Sequence, residues 1–250
     1  MKKIMLSVKN ITTRFGENLV HDNISFDIHE GDIFGLLGPS GHGKSTMMRE
    51  MILLQEPQSG TIEVLGKQIL QLGEKKAAQL RKQWGVVFQE SALFSSLTVE
   101  ENISVVLKEY TDMSPSLIRQ IAATKLEMVG LKQSDGYKYP AELSGGMKKK
   151  ASLARALAMD PKLLFLDEPT SSLDPVSAGE FDDLILSLKD LLGLTIVMVS
   201  HDLESIRKTL DKMVFFADNK IIAEGSLKDV LSISHPTIDS FFLKKGVTRE

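Results

Sequence analysis

The sequence predicts an α/β fold with a mostly parallel sheet, an antiparallel β subdomain and an inserted helical subdomain. Three observations point there. Short apolar runs (Ile33 to Leu37, Leu163 to Leu166, Thr195 to Ser200) alternate with stretches of helical period, as in sheets whose crossovers are helices. The first run leads through a Gly-rich turn into a helix-like segment, Lys44 to Leu54. Between Ser91 and Asp160 the pattern becomes mostly helical, which interrupts the alternation and reads as an insertion.

In chain order, Ile24, Phe26 and Ile28 alternate with polar neighbours and predict a half-buried strand. Ile33 to Leu37 predicts a buried strand, and Val86-Val87-Phe88 a further one. Ser114 caps a helix with Pro115 at its first position, Ile118, Ile121, Ala122 and Val129 form its apolar face, and Gly130 stops it. Leu163 to Leu166 returns to the sheet. Asp174-Pro175 opens a helix carrying Phe181, Leu184, Ile185, Leu188 and Leu192, and Gly193 closes it. Met213 to Ala217 and Lys220 to Ala223 predict a hairpin around Asp218-Asn219. The expected organisation is one domain over 1–250: an α/β core with its antiparallel subdomain in 1–90 and 161–225, a helical subdomain in 91–160, and a tail in 226–250.

The 250 residues are 42% apolar and 25% charged, which excludes a disordered or fibrous class. A formal net charge of −3 gives no basic field for nucleic acid, and the lack of cysteine excludes disulfides and thiolate zinc sites. The basic start has no apolar run behind it, so no secretory leader is expected, and no segment approaches the ~20 apolar residues of a membrane span. If the protein moves something across a membrane, another chain forms the path.

Gly38-Pro39-Ser40-Gly41-His42-Gly43-Lys44-Ser45-Thr46 has the spacing of a phosphate-binding loop. Glycines let backbone N–H groups close around a β-phosphate, Lys44 brings a charge to the β- and γ-phosphates, and Ser45 can ligate Mg²⁺. A chance match arises in roughly one chain in a hundred, and the strand–loop–helix setting lowers that further. His42 reads as a spacer. Leu163-Leu164-Phe165-Leu166-Asp167-Glu168 ends a strand in two acids: Asp167 for the metal, and Glu168 to orient or deprotonate a water. His201 follows a core strand, where an imidazole can hydrogen-bond a γ-phosphate; Gln89 follows another, where its amide can reach Mg²⁺ or water.

Leu143-Ser144-Gly145-Gly146-Met147 opens a helix and makes a second anion cradle. One nucleotide does not need two cradles from one chain; a dimer resolves this if each copy offers the second cradle to its partner. With these motifs the sequence resembles the ABC ATPases along nearly its whole length. The resemblance implies the ABC ATPase fold, ATP and Mg²⁺ as ligands, and a head-to-tail homodimer with two ATP between the copies. It further implies Leu143 to Met147 as signature, Gln89 as Q-loop, Ser172-Leu173-Asp174 as D-loop, and His201 as switch histidine. Phe15 would stack on adenine, where the family more often has Tyr.

Met147 stands where Gln is usual, and Lys148-Lys149-Lys150 follows as an expected solvated helix face. Met147, Gln89 to Phe94 and Tyr139 to Glu142 resemble the MlaF branch, which powers MCE-type transport of phospholipids or other hydrophobic molecules. That branch implies an integral-membrane permease, an MCE-domain protein, an accessory cytoplasmic subunit, and a place on the cytoplasmic face of the bacterial inner membrane. The alternatives are an ABC ATPase of another importer or exporter and a non-transporting regulator that transmits force. Nucleic-acid machines of the family carry long coiled coils, and no sustained heptads occur here.

Overall fold

The computed structural model describes residues 2–242. Its central six-stranded sheet holds β3 (Ile33–Leu37), β6 (Trp84–Val87), β7 (Leu163–Asp167), β8 (Thr195–Val199), β9 (Lys212–Ala217) and β10 (Lys220–Gly225), in the order β10-β9-β3-β8-β7-β6. All adjacent pairs are parallel except β9 with β10. The β9–β10 hairpin turns on Asp218 and Asn219 at φ 49° and 63°, the left-handed pair a two-residue hairpin requires.

The strands are apolar on both faces because both faces are covered. Phe34, Leu36, Leu163, Phe165, Val197 and Val199 face one apolar cluster; Ile33, Leu164, Leu166, Ile196 and Met198 face the other. On the first side lies an antiparallel sheet of β1 (Ile4–Phe15), β2 (Asn18–His29), β4 (Ser59–Val64) and β5 (Lys67–Gln68), in the order β2-β1-β4-β5. Helix α1 (Lys44–Met51) lies in the same layer through Met47, Met48 and Met51, and ends three residues before the Leu54 expected from sequence. Helix α2 (Glu74–Arg81), for which no separate signal was read, precedes β6.

The second side carries α3 (Val99–Tyr110), α4 (Pro115–Met128), α5 (Gly145–Ala156) and α6 (Pro175–Leu192). Ser114 caps α4 with Pro115 at its first turn, Asp174 caps α6, and Gly193 ends α6 at φ 64°. Helix α7 (Leu203–Thr209) follows β8. Of the expected tail, 243–250 lie outside the described residues; the rest forms α8 (Leu227–Ser232) and α9 (Pro236–Phe242), packed through Val230, Ile238 and Phe242 on Leu37, Met213 and Phe215. Among the described residues no helix is long and apolar enough to cross a membrane.

Candidate active site

Topology builds the site. Strands β3, β8, β7 and β6 are parallel neighbours, so the segments leaving their carboxyl ends stand in a row at one sheet edge. These are the Gly38–Thr46 loop, Ser200-His201, Asp167-Glu168 and Phe88-Gln89. Open parallel sheets bind ligands at this edge.

The loop turns on glycine where nothing else fits. Gly38 has φ 138°, and a Cβ there would run into the Phe216 carbonyl; Gly43 has φ 84° and caps α1. Lys44 is buried and its Nζ donates to the Pro39 carbonyl at 2.7 Å. Burial pushes its ammonium below the usual lysine range, against the pull of Glu168 and Asp167. Ser45 Oγ donates to Asp167 Oδ1 at 3.2 Å. Burial pushes the Asp167 carboxyl up, partly offset by that hydrogen bond.

Glu168 sits at φ 46°, a left-handed conformation rare outside glycine, with its N–H donating to the Val199 carbonyl at 3.0 Å. This turn carries its carboxylate 3.2 Å from His201 Nδ1. His201 is held just before Asp202, whose side chain caps α7 by accepting from the Glu204 and Ser205 N–H groups.

Two clefts meet at Glu168. One, of about 360 Å³, is lined by Phe15, Val20, Ser40, Gly41, Gly43, Lys44, Ser45 and Thr46. The other, of about 350 Å³, is lined by Thr170, Leu173, Ser200, His201 and neighbours. Phe15 is 52% exposed, so its ring is available to the first cleft. Among the described residues His42 bonds locally, Nδ1 to the Ser40 carbonyl at 3.1 Å.

The donor set fits a magnesium nucleotide: a hydroxyl and a carboxylate oxygen for a hard cation, and a loop in which a side chain at Gly38 or Gly43 would collide with its surroundings. Ser144, Gly145 and Gly146 are not part of this assembly. Ser144 caps α5 by accepting from the Met147 N–H, and lines a separate cleft with Gly146, Met147, Lys150 and Leu173. That cleft shares no residue with the one along the phosphate loop, and shares Leu173 with the one at His201.

The lysine run corrects an expectation. Lys149 is not solvated: it is 1% exposed, its Nζ donates to the Gln89 carbonyl, and burial pushes its ammonium down. Lys148 and Lys150 are half-buried. Along the same face of α5, Ser152 Oγ donates to the Ser91 carbonyl at 2.8 Å, and Arg155 donates to the Ala92 and Ser91 carbonyls at 2.7 and 3.1 Å. Ser91 and Ala92 have φ 61° and 48°, turned so that their carbonyls meet these donors. The i, i+3, i+6 spacing of Lys149, Ser152 and Arg155 was the available signal.

A family model described as "ABC transporter" matches residues 21–171, more than half of the chain. The chain belongs to the ABC transporter family. It is 38% identical over 231 residues to the intermembrane phospholipid transport system ATP-binding protein MlaF of Haemophilus influenzae, covering 92% of this chain and 87% of that protein. It is 38% identical over 230 residues to the methionine import ATP-binding protein MetN of Lactobacillus johnsonii, covering 90% of this chain and 65% of MetN. Among solved structures, a dimeric post-hydrolysis ATP-binding cassette bound to ADP and Pi superposes with a TM-score of 0.81 at 30% identity, covering 89% of this chain and 99% of that one. This ABC protein is therefore an ATP-binding, ATP-hydrolysing subunit with the cassette fold.

Proposed function

We propose that this ABC ATPase drives phospholipid, or another hydrophobic substrate, through a separate permease of an MCE/Mla-type system at the cytoplasmic face of a bacterial inner membrane. The 38% identity to MlaF over 92% of the chain is the observation that carries this reading, and the Met147 signature supports it. MetN, equally identical, favours a second reading: the ATPase of an importer for a small polar molecule.

In the proposed cycle two copies meet head to tail, as a dimeric relative supports. Each ATP lies between Gly38–Thr46 of one copy and Ser144, Gly145 and Gly146 of the other. Phe15 stacks on the base. Lys44 leaves the Pro39 carbonyl for the β- and γ-phosphates, where an anion offsets the cost of its buried charge. Mg²⁺, held by Ser45, Asp167 and the Gln89 amide, would neutralise phosphate charge. Glu168 orients the attacking water and takes its proton, and His201 holds the γ-phosphate. Loss of that phosphate removes the contact shared by the two copies, so the open and closed dimers differ in affinity for ATP and ADP.

We assign 91–160 as the lever to the permease. Its first segment is tied down: Asn102, fully buried, shares its two Nδ2 hydrogens among the Phe94, Leu97 and Thr98 carbonyls and accepts from the Phe94 N–H. The Lys149, Ser152 and Arg155 row ties the same segment to the signature helix. Motion at Gln89 is thus passed to α5 and to the region of Leu93 to Glu101 together.

The test is to tag the chain at its native level, solubilise membranes gently, and identify the co-purifying proteins and lipids. A multi-span permease with an MCE-domain protein and phospholipid is the expected result. A permease of another kind without lipid would move the importer reading ahead, and no membrane partner at all would overturn the transport role.

A further inference from the structure

Beneath the phosphate loop lies a polar cluster that the loop motif does not explain. His21 of β2 and Glu50 of α1 are fully buried, and Thr13 of β1 is nearly so. They lie at an apolar layer that includes Met47, Met51 and Phe216, with the His21 and Phe216 rings 5.9 Å apart. His21 Nε2 is 3.1 Å from the Gly43 carbonyl oxygen. Its Nδ1 is 3.1 Å from Thr13 Oγ1 and 3.5 Å from Glu50 Oε2. Thr13 Oγ1 donates to Glu50 Oε1 at 2.6 Å.

The hydrogen-bond roles constrain one another. A carbonyl only accepts, so Nε2 carries a hydrogen. Thr13, between the ring and the carboxyl, links His21 to Glu50, so the buried polar side chains partner one another within an apolar layer.

We propose that His21, held by Thr13 and Glu50, is a positioning residue for nucleotide binding: its Nε2–H fixes the Gly43–Lys44 peptide and so aims the Lys44 backbone N–H. A trans peptide points its C=O and N–H in opposite directions. Drawing the Gly43 oxygen down onto His21 therefore turns the Lys44 N–H away from the core and towards the phosphate cradle. The same oxygen accepts from the Met47 N–H at 2.8 Å, so two donors grip it. The contact is close: a Cβ on Gly43 would collide with the His21 ring and with Val20. The inference rests on the nucleotide reading of the loop.

The test uses the purified full chain, with MgADP affinity from titration calorimetry, thermal melts, and the KM for ATP. Wild-type binding of MgADP is the control, and its failure would remove the nucleotide reading itself. The double variant H21L/E50L removes the imidazole without stranding a buried carboxylate. It is expected to melt near the wild-type temperature while binding MgADP about tenfold more weakly, with KM rising accordingly. H21Q, whose amide nitrogen falls near the position of Nε2, is expected to recover most of the affinity; H21N, whose nitrogen falls near Nδ1, is not. A double variant with wild-type affinity would overturn the proposal and leave His21 a packing residue. Should that variant not fold, equal affinities of H21Q and H21N would overturn it instead.

Discussion

In the proposed cycle Lys44 and Glu168 carry opposite halves of the chemistry, and each can be replaced by a side chain of similar shape. Glu168→Gln keeps the size and a side-chain oxygen near His201 but takes no proton. Turnover is expected to fall about a hundredfold or more while ATP binding persists, as read by phosphate release and nucleotide titration. Near-wild-type turnover would remove the general-base role. Lys44 is buried with its charge disfavoured by desolvation, and its hydrogen-bond partner is a carbonyl of its own loop. Lys44→Met therefore relieves a cost in the nucleotide-free protein. Its melting temperature is expected to stay at or above wild type, whereas the upward shift that MgATP gives the wild type is lost. A melt that drops while the nucleotide shift remains would contradict this assignment.

At the scale of elements, the contact of α5 with the segment after β6 joins two motifs. Lys149→Met removes one hydrogen bond and one buried charge together, so unfolding in urea is expected near the wild-type midpoint, with turnover lowered several-fold. Lys149→Glu would place a carboxylate close to Glu90, Asp167 and Glu168, and is expected to lose about 3 kcal/mol or more. Equal stability of the two variants would place the side chain in solvent. The α6–α7 contact gives a pH test. Asp182 is 3% exposed, accepts from Ser205 Oγ at 2.7 Å, and has its carboxyl pushed above the ordinary 3.8 by burial. A raised carboxyl stabilises the fold fully below its unfolded value, and that contribution is lost as pH rises through the folded value. Asp182→Asn should therefore gain on wild type as pH rises from below 4, and hold the gain at neutral pH; a pH-independent difference would contradict it. Most element boundaries were legible because caps are local: Ser114-Pro115, Asp174-Pro175 and Gly193 act within a turn of the ends they mark. Lys149 was misread because three lysines in a row look solvated, and only the fold reveals that one of them meets a carbonyl 60 residues away. The tail helices were silent for a related reason. Their few apolar residues mean nothing until Leu37, Met213 and Phe215 present a surface for them.

At the scale of the molecule, the strand order places four site segments at one edge, and no sequence motif states that order. The sequence carried the expectation of two anion cradles; in the structure the phosphate loop and Ser144 line clefts without a residue in common, and Leu173 lines both the Ser144 cleft and the one at His201. His21, Thr13 and Glu50 were invisible beforehand, since a lone histidine on an alternating strand looks ordinary until three elements converge on it. The central claim is that one nucleotide is completed by two copies of the chain. Sedimentation of Glu168→Gln with and without MgATP tests it most directly. A doubling from the 27.6 kDa monomer is expected when MgATP is present, and no doubling when Ser144→Arg is added although ATP still binds. A monomer saturated with ATP, or a dimer indifferent to Ser144→Arg, would contradict it.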